Sequence, residues 1–430
     1  MSESRLSRAG AALRHPVSQN TLAMYAVQAV LTALPLVTLP WMARALGPSE
    51  LGLILFTQSF AFVAGILVEY GFNLSATRQV ARERDDPEAL AATVARVQAA
   101  KLALIGLITA VTLIAVAAVP QFRDDPRLAA FGWAMAVLTG LSPAWYFIGV
   151  ERIRTLAAVD VSARVLIAVA IVALVTEPGQ GLLVLWIWTL GSVVSLVALS
   201  SLMYSRVALA RPRRAGGRLA LREGWPLFLS TASVSLYTSG TVFMLGLVTS
   251  SARLAMFAAA ERIARVAVRA INPVSSAAYP RVSHLLGVGN TERAQRLSVL
   301  VLGAVTSIGV LTAVLLYAFA PRVVRLLFGD EFSEAAELLR IFALMLPCIA
   351  LTSTVAALWL LSRGLDKSVT VLTVAAAVST LALTPVIGSL AGPHGIAWLL
   401  VGVEAALVVA FLWVVHVLGL APTRSQILGR

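Results

Sequence analysis

The sequence predicts an all-α polytopic membrane protein of about twelve transmembrane helices. Three observations lead there. Twelve strongly apolar stretches divide the 430 residues from end to end; hydrophobic residues make up 59% of the chain and charged residues only 13%; and the arginines gather in every second gap between the stretches. A water-facing domain usually carries about 25% charged residues, so this composition fits a chain whose solvent is the bilayer.

A hydrocarbon core about 30 Å thick needs roughly 20 apolar residues per helix. Segments near 18–40, 50–70, 99–119, 128–149, 156–176 and 182–204 meet that length, and six more follow near 225–248, 252–277, 295–319, 336–361, 368–388 and 393–417. Most lack a strict polar stripe, as expected when one face meets lipid and another meets neighbouring helices. Pro35, Pro40, Pro143, Pro226 and Pro273 with Asn272 lie inside these stretches, where each proline removes a backbone donor and either bends a helix at a gate or makes an ordinary packing kink.

Cytoplasmic loops retain Lys and Arg. The rich gaps hold Arg5, Arg8 and Arg14; Arg78, Arg82, Arg84 and Arg96; Arg152 and Arg154; Arg206, Arg211, Arg213, Arg214, Arg218 and Arg222; Arg281, Arg293 and Arg296; and Arg363 with Lys367. The alternate gaps are poor in them. Both termini are therefore expected in the cytoplasm, and the net charge of +13 reads as an orientation signal. No aromatic-interleaved basic domain is present to bind a nucleic acid.

The 206–224 gap follows six stretches and marks the expected division into an N-terminal six-helix lobe (1–205), a basic cytoplasmic linker (206–224) and a C-terminal six-helix lobe (225–430). Each lobe starts and ends on one side, so the two are expected to be parallel pseudo-repeats around a central cavity. Residues 73–98 mix charged and apolar positions and read as an interfacial helix broken near Pro87.

Several function classes drop out. Cys348 stands alone, so no intramolecular disulfide framework forms. His15, His284, His394 and His416 are scattered and give no metal-ligand spacing. No GxxxxGK[ST] loop is present for direct ATP hydrolysis. The expectation is a protein that is not an enzyme and uses no cofactor or metal.

In chain order, NTLAMYAVQAV, LPLVTLPWMARALGPSELG, VEYGFNLSATRQVA, SPAWYFIGVERIR, WPLFLSTASVSLYTSG, FAAAERIARVAVRAINPVSSAAYPRVS and LLFGDEF with LLRIFALMLP resemble the Wzx-type polysaccharide or O-antigen flippases of the multidrug/oligosaccharidyl-lipid/polysaccharide superfamily. The likeness spans nearly the whole chain. It implies a carrier in the bacterial inner membrane that moves an undecaprenyl-pyrophosphate-linked oligosaccharide by alternating access, for O-antigen, capsule or exopolysaccharide synthesis. The implied partners are that lipid-linked sugar, H+ or Na+, membrane lipids and a polysaccharide polymerase or other assembly proteins. The alternative is an ion-coupled drug or metabolite exporter of the same superfamily. A membrane-embedded sugar polymerase or ligase fits less well, because no large exterior loop with catalytic polar residues is seen.

A pyrophosphate headgroup needs a wet, cationic path through hydrocarbon. Glu261, Arg265 and Arg269 stand at i, i+4 and i+8 with Arg262 beside them, and the planar guanidinium fork suits pyrophosphate. These arginines either bind the headgroup or are loop charges on a helix that outruns the bilayer. Glu404 sits mid-helix in LLVGVEAALVVA and is the leading ion-coupling candidate, followed by Glu261 and Asp160; a structural salt bridge is the competing role for Glu404, and a local pair with Arg164 for Asp160. Glu69 and Glu151 read as loop-positioning residues. Tyr146, Trp145 and Trp225, with Phe147 and Phe228, offer rings for sugar stacking or for anchoring at the membrane interface.

Overall fold

A computed structural model describes residues 16–210, 214–235 and 240–420. Arg5, Arg8, Arg14, His15, Arg211 and Arg213 lie outside the described residues. Those residues are almost wholly helical and contain no strand. In order, the helices are α1 Pro16–Glu69, α2 Phe72–Glu83, α3 Pro87–Ala118, α4 Pro120–Asp124, α5 Pro126–Leu141, α6 Ala144–Gly149, α7 Ile153–Leu174, α8 Gly181–Tyr204, α9 Arg214–Ser235, α10 Thr241–Gly246, α11 Ser251–Gly287, α12 Thr291–Phe328, α13 Ala335–Ala343, α14 Met345–Val355 and α15 Asp366–Val417.

Eight helical runs among the described residues are long and apolar enough to cross a membrane. Leu34–Glu83, with 50 residues, and Asp366–Val417, with 52, each have about twice the roughly 20-residue length one crossing needs. Both are interrupted at a glycine directly before a proline: Gly47 has φ 73° inside α1 and Gly392 has φ 60° inside α15. The pairing has a simple cause. Proline disfavours the helical region for the residue before it, and glycine alone takes the left-handed alternative at little cost. Leu113, Leu166, Leu390, Val409 and Trp413 are exposed on these runs, which is stable only against lipid tails. The protein is a multi-pass membrane protein.

Prolines and caps set the starts. Asp86 accepts from the backbone amides of Glu88 and Ala89 ahead of Pro87, and Asp125 does the same for Arg127 ahead of Pro126, each meeting an orphan donor of a helix N-terminus. The charged segment after α1 is broken at Pro87, as its sequence predicts. Its first half is the short α2, which buries Phe72, Ala76 and Val80 and leaves Leu74, Arg78 and Arg82 outward. Its second half is the first turns of the long α3.

The chain forms two compact units: Met1–Leu46 with Phe60–Ala232 (unit 1), and Gly47–Ser59 with Ser233–Arg430 (unit 2). Unit 1 has a core of Phe72, Val80, Val94, Trp145, Tyr146, Phe147, Leu199 and Met203 with their neighbours. In unit 2 one core gathers around Leu358, Trp359, Phe411 and Val415 and another around Val305, Leu346 and Ala350. The segment 47–59 is bound into unit 2 at very short range. A Cβ on Gly52 would lie 1.8 Å from the carbonyl oxygen of Ser251, so only glycine lets these two backbones meet.

Candidate functional site

The arginine-rich stretch predicted on one helix is on α11 and is built into unit 2. Glu261 is 4% exposed, and Arg265 Nη2 lies 2.6 Å from its Oε1 at i,i+4. Arg262 turns the other way and donates from Nη2 to the side-chain oxygen of Gln58, a residue of the segment that unit 2 takes from α1. Arg269 is exposed one turn further on. These arginines therefore lie on a helix packed into the unit, with two of the three holding polar partners. The cluster carries three guanidinium groups and one carboxylate, a formal excess of about two positive charges. The hydroxyl of Thr57, next to Gln58, is buried without a hydrogen-bond partner.

Glu404 lies on α15 at 7% exposure, and its charge acts on Cys348 of α14. The helix therefore presents the carboxylate inward, toward α14, rather than to lipid.

Asp160 departs from expectation. It accepts from Ser195 Oγ at 3.1 Å and forms no ion pair with Arg164 among the described residues. The i,i+4 spacing makes the two side chains neighbours on the helix, but Arg164 is exposed and the Ser195 hydroxyl of α8 reaches the carboxylate instead.

The aromatic residues separate. Trp145 and Tyr146 belong to the core of unit 1, at 0% and 3% exposure, so their ring faces are closed to a sugar in this conformation. The short helix that carries them sits behind the Pro143 break and is held on α2 by a bond from Thr77 Oγ1 to the Trp145 carbonyl at 3.0 Å. Trp225 is half exposed and leans on Phe228, which stacks on Tyr70 at 4.6 Å and 9°. Glu69 accepts from Asn73, and Glu151 pairs with Arg84 at 2.9 Å. Both carboxylates hold turns, the role their sequence positions suggest.

One charged residue escaped the sequence reading. Lys101, on the apolar α3, is 1% exposed. Its ammonium donates to the Ser142 carbonyl at 3.1 Å, lies 5.8 Å from the Trp145 ring centre and feels the charge of Glu69. The helix breaks at Ser142 ahead of Pro143, Tyr146 N donates to the Pro143 carbonyl rather than to Ser142, and Lys101 supplies the Ser142 carbonyl with a donor. The only signal in the sequence was a lysine inside an apolar run.

Comparison with known proteins follows the same lines. The family described as "Polysaccharide biosynthesis protein" matches residues 17–286, and the MatE family matches residues 226–386. A protein of Escherichia coli (strain K12) named "Putative O-antigen transporter" is 26% identical over 379 residues, covering 85% of this chain and 88% of that protein. Among solved structures, an inward-facing multidrug resistance MATE family transporter of the MOP superfamily superposes with a TM-score of 0.69 at 18% identity, covering 89% of this chain and 93% of that one. The lipid II flippase MurJ, in an inward closed conformation, does so with a TM-score of 0.68 at 14% identity, covering 95% and 88%. At these identities the structural likeness establishes the fold, and with a family match across more than half its length the chain belongs to the polysaccharide biosynthesis protein family.

Proposed function

We propose that this protein is a flippase of the bacterial inner membrane that carries a lipid-linked oligosaccharide, joined through pyrophosphate to undecaprenol, to the opposite leaflet for surface polysaccharide synthesis. The observation that carries this reading is the α11 cluster. Within a membrane-embedded unit of a polysaccharide biosynthesis protein, three arginines stand against one carboxylate, which favours an anionic headgroup over the cation a drug exporter would take. Relatives named as O-antigen transporters support the same substrate class.

Arg265 and Arg269, with Arg262, bind the pyrophosphate; Glu261 orients Arg265 and keeps its fork extended. Glu404 is the ion-coupling residue, since a buried intramembrane carboxylate is costly and marks an ion or proton path. The chain crosses the membrane twelve times in two six-helix lobes with both termini in the cytoplasm. Gly47–Pro48 and Gly392–Pro393 separate the paired crossings inside α1 and α15, which supports that count. The carrier performs no covalent chemistry: the arginines replace the hydration of the headgroup, and the lipid tail stays in hydrocarbon.

The test is reconstitution in liposomes with a trappable undecaprenyl-pyrophosphate oligosaccharide, with and without a pH gradient. Protein-dependent appearance in the opposite leaflet is the expected result. Absence of translocation together with uptake of organic cations would overturn it.

A further inference from the structure

We propose that Gln58 is a specificity-determining residue of the α11 headgroup site: it holds Arg262 in place through a neutral bond that leaves the guanidinium its full charge for the pyrophosphate. The proposal rests on the flippase reading above and adds to that site a residue of α1.

Packing between helices, not a loop, brings Gln58 to α11. Gln58 belongs to the segment 47–59 that unit 2 takes from α1. Gly52 fixes one end of that segment, since a Cβ there would lie 1.8 Å from the Ser251 carbonyl oxygen at the start of α11. Phe56 holds the middle: it is 1% exposed and stacks on Phe243 of α10 at 5.4 Å and 19°. Gln58 then stands about two turns beyond Gly52, and Arg262 about three turns beyond Ser251. The two long side chains close that difference, with Arg262 Nη2 donating to the Gln58 side-chain oxygen. Both residues are partly exposed, so a ligand can reach the pair.

The two bonded arginines of α11 have partners of different chemistry. Arg265 meets a carboxylate, Glu261 Oε1 at 2.6 Å, so a phosphate arriving there competes with an anion already in place. Arg262 meets an amide oxygen, which accepts an N–H and adds no charge. A donor shut away from water costs free energy unless it is bonded, and either an amide or a carboxylate meets that need. Only the carboxylate would also offset the positive field that draws a phosphate in. One bond at Nη2 fixes the plane of the guanidinium, and the rest of the fork has the geometry to grip two phosphate oxygens. Glutamine and glutamate have nearly the same shape, so the choice between them at this position sets the charge of the site and leaves its geometry alone. Gln58→Glu would change three arginines against one carboxylate into three against two.

The test uses the full-length protein in phosphatidylcholine nanodiscs, titrated with fluorescently labelled farnesyl pyrophosphate and read by anisotropy, with thermal unfolding of the same samples. Gln58→Glu keeps an acceptor for Arg262 and adds a charge. It is expected to melt at or above the wild-type temperature and to bind the probe about tenfold more weakly, the scale of one lost charge-assisted contact. Gln58→Asn and Gln58→Asp form a second pair of equal size, which decides the matter if Gln58→Glu is not recovered from membranes. Q58N is expected to bind within about threefold of the wild type, and Q58D about tenfold more weakly than Q58N. A residue that merely tied α1 to α11 would do so at least as well with a carboxylate, so acidic variants that bind as tightly as their neutral counterparts would overturn the proposal. Q58N binding as weakly as Q58D would overturn it too. Failure of the wild type to bind the probe would also overturn it, and liposome translocation then shows whether the flippase reading falls with it. A wild type that binds and flips, matched by Q58E in both, sinks only the role of Gln58.

Discussion

Buried charge is handled in opposite ways in the two units. In unit 1 a lone ammonium, Lys101, is wholly enclosed and bonded to a backbone carbonyl, with the Glu69 carboxylate as its counter-charge. In unit 2 the α11 arginines outnumber their carboxylate, and Arg265 keeps a third of its side chain open. An enclosed charge bonded to a freed carbonyl fastens a helix break; a half-open cluster with excess positive charge is what the proposed headgroup site requires. Substitutions at the two places therefore ought to fail differently, the first in stability and the second in transport.

The largest expected effect lies outside both clusters and sets the scale. Gly52→Ala drives a Cβ into the Ser251 backbone at 1.8 Å, which no rotamer change relieves. Because that contact binds 47–59 into unit 2, the variant should be recovered at a small fraction of the wild-type membrane level. Normal levels with an unchanged detergent melting curve would show that the contact yields.

Lys101→Met comes next. It strips the Ser142 carbonyl of its donor and leaves Glu69 without its counter-charge, an expected loss of about 2–4 kcal/mol. The double variant K101M/E69Q should recover part of it, since the stranded charge is gone while the stranded carbonyl remains. Thermal unfolding in detergent measures both. A single variant as stable as wild type would mean Lys101 is not a fastener.

Arg265→Gln keeps an amide donor for the buried Glu261, so the protein should be recovered near wild-type levels while translocation falls about tenfold, the scale of a lost charge-assisted contact. Glu261→Gln keeps the cations and removes their restraint, so it should cost less than Arg265→Gln. The reverse order would place the function on the carboxylate. If both variants lost protein rather than rate, α11 would resemble Lys101, and the contrast between the units would disappear.

These two clusters also show what the sequence reveals. Helix boundaries were legible wherever a local cause exists: Pro87, Pro126 and Pro143 push the residue before them out of the helical region and so end or start helices, and among the described residues the predicted apolar stretches overlie helix. The Arg262, Arg265 and Glu261 grouping was legible because i,i+4 spacing is a property of one helix. Lys101 was not, since its partners Ser142 and Glu69 lie on other elements dozens of residues away. The Asp160–Arg164 pair was misjudged for the converse reason: local spacing suggested a partner, and Ser195 of the neighbouring helix is closer. Aromatic residues give the weakest signal, because Trp145 and Trp225 look alike in an apolar string while the fold buries one and half exposes the other.

The smallest effect tests charge at an exposed helix start, where neither strategy operates. Hydrogen bonds from the Arg127 side chain, and then from its backbone amide, hold the Asp125 carboxyl below the usual carboxylate range against a smaller opposing effect of burial. A depressed folded-state pKa gives stability that is present above the unfolded value and lost as pH falls through the folded one. Asp125→Asn keeps a capping oxygen and loses the charge, so its melting temperature should sit slightly below wild type at neutral pH and converge with it below about pH 4. The difference should stay within a few tenths of a kcal/mol, because the pair is solvent-screened. A gap that persisted under acid would assign the stabilisation to cap geometry rather than to charge.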